Sequence, residues 1–159
     1  NLPRVLADGQ NADAREAMLL GALFAGMAFA NAPVAAVHAL AYPLGGHYQF
    51  AHGLSNSLVL GPVLEFNLPE AQAPYAQLAH AILPATRSLP ESAAARAFVE
   101  AMRACVAAMP YAQSLSAAGV AEADLTMLAE DALKLQRLLV NNPRGRGLAD
   151  ALAIYRAAD

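Results

Sequence analysis

Between Glu16 and Glu65 the chain carries no Asp, Glu, Lys or Arg. It runs Ala17-Met-Leu-Leu-Gly-Ala-Leu-Phe-Ala-Gly-Met-Ala-Phe-Ala30, breaks at Asn31-Ala-Pro33, and stays uncharged through Leu64. A helix at a protein surface keeps charge on its wet face, so this region either has no wet face or lies in lipid. Length disfavours lipid: residues 17–30 fall about one turn short of a minimal membrane span before Asn31 and Pro33 interrupt them. No basic segment precedes the run, which argues against a secretory leader and leaves the cytoplasm as the expected location. Gly and Ala mixed with Met, Leu and Phe are the composition of a close-packed helix. The expectation is a buried core helix.

The composition of the whole chain supports that reading. Of its 159 residues, 57% are hydrophobic and 14% charged, against roughly 45–50% and 25% in an ordinary soluble domain. Intrinsic disorder is excluded, because it needs sparse hydrophobicity and dense charge. A net charge of -3 offers no basic surface for nucleic acid. The lone Cys105 excludes an internal disulfide and a multi-cysteine zinc module. Roughly a quarter of the residues are alanine, the strongest helix former, and no stretch alternates with period two. The expected fold is all-α. One domain of this size does not easily wrap two helices that are apolar all round. Either the remainder of a longer protein covers them or an obligate homo-oligomer does, and composition leaves both open.

Punctuation along the chain predicts the elements. Residues 1–9 read as a loop or the end of an upstream helix. Asp13 is the expected N-cap of a helix over 14–30, with Glu16 as its capping-box partner. Pro33 suits the first turn of a helix over 34–41, which Pro43 and Gly45-Gly46 should stop. A loop over 43–51 leads to a helix over 53–66, kinked at Pro62. A short helix is expected over 74–83 and another from Pro90 to about Met109, the latter with Arg96, Glu100 and Arg103 on its wet side. Glu122-Ala-Asp124 opens a helix over 125–139, Asn141-Asn-Pro143-Arg-Gly145 turns the chain, and a last helix covers 148–157. Cys105 and the methionines read as core, and His80 as a surface or helix-face residue.

Three of the four histidines crowd into His38-Ala-Leu-Ala-Tyr42-Pro-Leu-Gly-Gly46-His47-Tyr-Gln-Phe-Ala-His52-Gly53. His38 sits among Ala, Val and Leu, where an imidazole costs desolvation unless its nitrogens find partners. Helix, glycine loop, helix is an arrangement that can point His38 and His52 into one cavity, and neutral imidazole is a common ligand for transition metals. A hydrogen-bonded core histidine is the competing explanation. Two imidazoles are too few for a cation that takes four or more donors. No Asp or Glu stands four residues before a histidine and no HExxH occurs. Any further ligands must come from outside this chain.

The segment from His38 to His52-Gly-Leu-Ser-Asn56 resembles the signature of the iron-containing alcohol dehydrogenases: a ligand His, a second His four residues on, a glycine-rich loop, then His-Gly and a following Asn. Gly26-Met-Ala-Phe29-Ala-Asn31 resembles the family's preceding Gly-Met-x-Phe-Ser-Asn, and Asn142-Pro-Arg144 the turn before its last helix. The likeness runs over essentially the whole chain, in order. It implies that residues 1–159 are the C-terminal all-helical, metal-binding domain of a two-domain enzyme, without the N-terminal nucleotide-binding α/β domain. It also implies a divalent metal, Fe2+ or Zn2+, in the cleft between the domains. The later pair of metal ligands maps onto His38 and His52, and an upstream Asp-x-x-x-His supplies the other two. NAD or NADP, a small alcohol or aldehyde substrate and a homodimer are implied too, with neither nucleic acid nor membrane as partner.

One position departs from the pattern. The family's second histidine, assigned to the proton path, is Tyr42 here, on the same helix face as His38. A phenol relays a proton but, with an ordinary pKa near 10, is a poor base at neutral pH; a packed aromatic is the alternative explanation. Branches of the family acting on hydroxy acids or semialdehydes resemble this Tyr-Pro version. Phe29 and Leu138 map near the substrate pocket, although packing explains a Phe at 29 equally well, and His47 reads as a loop histidine near the cleft. The resemblance therefore implies interconversion of a primary alcohol or hydroxy acid with its aldehyde, the isolated fragment being inactive. Against it stand a helical interaction module that kept the fold without the chemistry, and an enzyme like maleylacetate reductase or dehydroquinate synthase.

Overall fold

A computed structural model describes residues 1–145 and 147–159. Among them the chain is helical, with no strand: α1 Leu2–Ala7, α2 Ala12–Asn31, α3 Ala36–Tyr48, α4 His52–Asn67, α5 Gln72–Ile82, α6 Glu91–Ala107, α7 Leu125–Leu133, α8 Gln136–Leu139 and α9 Leu148–Ala157. Short 3-10 turns at Pro84–Ser88 and Glu122–Asp124 precede α6 and α7. Residues 1–34 and 35–159 form two compact units. The all-α expectation holds.

In the first unit α1 packs on α2. The N-cap of α2 is Asn11, not Asp13: its side chain accepts a hydrogen bond from Ala14 N at 3.0 Å. Asp13 instead lies in the first turn, where its charge suits the positive end of the helix dipole. The expectation of a buried helix is not met within this chain. Only Ala14 of α2 is buried, while Leu19 is 74% exposed and Leu20, Leu23, Phe24 and Met27 are exposed with it. A six-residue partner helix has too little surface to cover twenty residues, so the apolar face stays open. No single helix among the described residues is long and apolar enough to cross a membrane.

The second unit has two cores joined by α4. In the larger one Ala36, Leu40, Leu44, Leu58, Val59, Val63, Leu128, Ile154 and Tyr155 come together from α3, α4, α7 and α9. In the smaller one α5 and α6 meet through Ala76, Ala79, Ala94 and Ala95, with the Tyr75 and Phe98 rings 5.2 Å apart. Stripes of alanine let these two helices approach closely. Arg96, Glu100 and Arg103 do face solvent on α6, but so does Cys105, which is exposed rather than core. Met18, Met27 and Met127 are likewise exposed rather than core.

The largest departure from expectation is α3. The helix runs straight through Pro43, Gly45 and Gly46 and stops only at Gln49, whose φ of 57° is left-handed. Neither glycine has a positive φ. Tertiary contacts outweigh the local stop signals here. Pro43 and Leu44 are buried, and the last turn is tied across to both ends of α7. Tyr48 Oη donates to Asp124 Oδ2 at 2.5 Å and His47 Nε2 lies 2.7 Å from Asp131 Oδ2. Pro43 lacks the N–H that would reach Ala39 O. At the next carbonyl, Leu40 O, the fully buried Tyr155 donates its hydroxyl from α9 at 2.6 Å. Burial pushes the Tyr155 phenol far above its ordinary pKa, so it remains a donor.

The far end of α4 is clamped by the Asn-Pro-Arg turn. Asn67 and Asn142 exchange amide hydrogen bonds at 3.0 and 2.6 Å. Arg144 donates through Nη1 to Phe66 O at 2.8 Å while its guanidinium lies 4.2 Å over the Phe66 ring. Phe66 O is one of the last carbonyls of α4, which have no partner inside the helix. The expected helix over 125–139 is broken: α7 ends at Leu133, whose carbonyl accepts from Gln136 Nε2, and α8 is a separate turn.

Substituting Asn142→Ala strands the buried Asn67 amide, and chemical unfolding should show a loss of about 1–3 kcal/mol. Tyr155→Phe leaves Leu40 O without its cross-helix donor and should cost about 1 kcal/mol by the same measurement. A midpoint unchanged in both variants would mean that these bonds do not hold α4 and α3 in place.

Candidate metal and proton site

The site is built where α3 hands the chain to α4. His38 and Tyr42 are one turn apart on α3, so they share a face. Gln49-Phe50-Ala51 reverses the chain, and His52 opens α4 against it. The bend is therefore these three residues and not the diglycine, which lies inside α3. The three rings close on one another: His38 and His52 centroids are 5.2 Å apart, and Tyr42 stands 6.2 Å from each. His38 is half-buried. Burial, and then the neighbouring His52 ring, lowers its pKa below the ordinary histidine value, so it is neutral at physiological pH. A neutral imidazole is the form that donates a lone pair to a metal.

The spacing fits a shared cation. Two imidazoles bound to one ion through nitrogens at about 2.1 Å, at a near-tetrahedral angle, hold their ring centroids about 5.3 Å apart. The observed separation is 5.2 Å. Among the described residues no group of three or more His, Cys, Asp or Glu side chains gathers. His38 and His52 thus stand as an isolated pair of imidazoles, two candidate donors and no more.

The other expected residues fall differently. Tyr42 is 39% exposed and joins the two imidazoles. His47 is exposed and engaged with Asp131, which also receives Lys134 Nζ at 2.5 Å. Lys134 first, and His47 second, hold the Asp131 carboxyl below its ordinary range. Leu138 is buried on α8, which packs against α3. Phe29 is exposed on α2, in the first unit. His80 keeps its backbone carbonyl on Arg87 Nε and has a buried Nε2 without a hydrogen-bond partner. Asn56 was legible as part of the signature, but its contact was not. Its Nδ2 lies 3.1 Å from His52 Nε2 and 2.8 Å from His52 O. The four-residue spacing to His52 is the signal that points to it.

Comparison with known proteins places this geometry. The family model for the C-terminal part of the Fe-containing alcohol dehydrogenase family matches residues 1–159. Long-chain-alcohol dehydrogenase 1 of Geobacillus thermodenitrificans (strain NG80-2) is 37% identical over 158 residues, 99% of this chain and 40% of that protein. The 1,3-propanediol dehydrogenase of Citrobacter freundii is 37% identical over 158 residues, 99% of this chain and 41% of its own length. The crystal structure of a 1,3-propanediol oxidoreductase superposes with a TM-score of 0.94 at 35% identity, covering 100% of this chain and 41% of that one. The chain thus spans about two fifths of the relatives it matches. With the all-helical fold and a family match that runs the length of the chain, the chain belongs to the iron-containing alcohol dehydrogenase family and corresponds to its C-terminal helical part.

Proposed function

We propose that this chain forms the metal-binding wall of the catalytic cleft in an NAD(P)-dependent alcohol dehydrogenase that interconverts a primary alcohol or hydroxy acid with its aldehyde. The observation that carries the reading is the 5.2 Å pairing of His38 and His52, at a spacing suited to one shared cation. The relatives named for long-chain alcohols and for 1,3-propanediol support the substrate class.

His38 and His52 would hold Fe2+ or Zn2+ together with two donors from the N-terminal part of the longer protein. When bound, the ion supplies Lewis acidity that lowers the pKa of the substrate hydroxyl. His38 contributes a lone pair already free of a proton, kept so by burial and by its neighbour. Tyr42 holds a proton on Oη beside both imidazoles and, being partly exposed, relays it between substrate oxygen and solvent. Leu138 stiffens the wall behind α3, and His47, held by Asp131, fixes the end of α3 at the cleft margin. The open face of α2, with Leu19, Leu23, Phe24 and Met27, is where the rest of the enzyme packs. A homodimer in the cytoplasm, with its nucleotide bound in an N-terminal α/β domain, completes the reading.

In the full-length protein, His38→Ala and His52→Ala should each weaken metal retention by more than the roughly 10–100-fold that loss of an outer hydrogen bond costs, and abolish turnover. Metal analysis after dialysis checks it; normal metal content in either variant refutes the ligand assignment. Tyr42→Phe should keep the metal yet lower kcat by about 100-fold at neutral pH, and an undiminished kcat would remove Tyr42 from the proton path.

A further inference from the structure

The contact between Asn56 and His52 fixes more than a side-chain position. Asn56 lies one turn beyond His52 on α4, and its Nδ2 approaches two atoms of that residue, the carbonyl oxygen at 2.8 Å and ring Nε2 at 3.1 Å. A backbone carbonyl only accepts, so the amide atom facing it must be the nitrogen. Turning the amide over would set Oδ1 against His52 O, two acceptors at hydrogen-bond distance. With the orientation forced, the NH2 group has one N–H for the carbonyl and one for the ring. Ring Nε2 must then be the acceptor, which in the uncharged form of the ring leaves the proton on Nδ1.

The amide does this at a cost. Asn56 Oδ1 is buried without a hydrogen-bond partner, a state that is costly because the oxygen has lost its water and gained nothing in return. An asparagine held only to bond its own helix would gain by turning outward and wetting that oxygen. Here both donors are spent on His52 while the acceptor goes without a partner.

We propose that Asn56 is a positioning residue that holds His52 in the Nδ1–H tautomer while the metal site is empty. It keeps the Nε2 lone pair unprotonated and surrenders it when a divalent cation arrives. The inference rests on the reading of His52 as a ligand but concerns an atom-level state of the metal-free protein. The N–H and the cation compete for one lone pair, so Asn56 guards the ligand without itself coordinating. No proton has to leave Nε2 on loading.

The test is the tautomer itself. Full-length protein labelled with 15N-histidine is stripped of metal, and long-range 1H–15N correlations are recorded near pH 8, with His52 assigned by comparison with His52→Ala. The wild type should show a protonated Nδ1 and a bare Nε2. In Asn56→Leu, which keeps the size and removes the donor, the tautomer ratio should move toward Nε2–H by roughly 3- to 10-fold, the worth of one hydrogen bond. A wild-type His52 protonated at Nε2, or a ratio unchanged in Asn56→Leu, overturns the inference, and the first result needs no variant to fold. Cobalt(II) titration of the same samples separates the two claims. Wild-type affinity in His52→Ala would sink the ligand assignment whatever the tautomer, whereas lost affinity with an unaltered ratio in Asn56→Leu would sink only the role of Asn56.

Discussion

Two imidazoles held side by side at the junction of α3 and α4 are the constraint on which this part of the molecule turns. Rings that both want water and hydrogen-bond partners are kept about one ion's width apart, with a phenol completing the triangle. His38 accepts partial burial and a lowered pKa for it, and His52 has its Nε2 3.1 Å from the Asn56 amide nitrogen. Neither arrangement suits a protein that needs only a core, because an apolar residue at position 38 would pack without desolvating a polar ring.

The scaffold around that pair is organised to hold two helices still. α3 is anchored along its length: by Leu40 and Leu44 in the core, by the Tyr155 hydroxyl on Leu40 O, and by Tyr48 and His47 on the carboxylates of Asp124 and Asp131. α4 is anchored at its far end by the Asn67–Asn142 amide pair and by Arg144 over Phe66. It also forms the shared wall of the two cores, packing on α3 and α9 on one side and on α6 on the other. These polar bonds fix the two helices at defined atoms, which apolar packing alone does not do, and so set the distance between the His38 and His52 rings.

Helices bounded by strong local signals were legible in the sequence: α6 begins directly after Pro90, and α9 spans Leu148–Ala157 as its spacing suggests. The signature residues His38, Tyr42 and His52 were legible too, because the family pattern is long and ordered. What was not legible depended on distant partners. Nothing near Gly45-Gly46 tells that Asp124 and Asp131, some eighty residues later, will hold the last turn of α3 and carry the helix past its own stop signals. Asn11 and Asp13 are both good caps two residues apart, and only the Ala14 N–H decides between them. The apolar run of α2 reads as interior from composition, yet composition cannot say whose interior. Within this chain it is surface.

The most direct trial is an anomalous-scattering map of full-length crystals grown with cobalt(II). A single peak within about 2.2 Å of a ring nitrogen of both His38 and His52 is the expected result. A peak bound to neither imidazole, or to one of them alone with the other ring turned away, would contradict the shared-cation site.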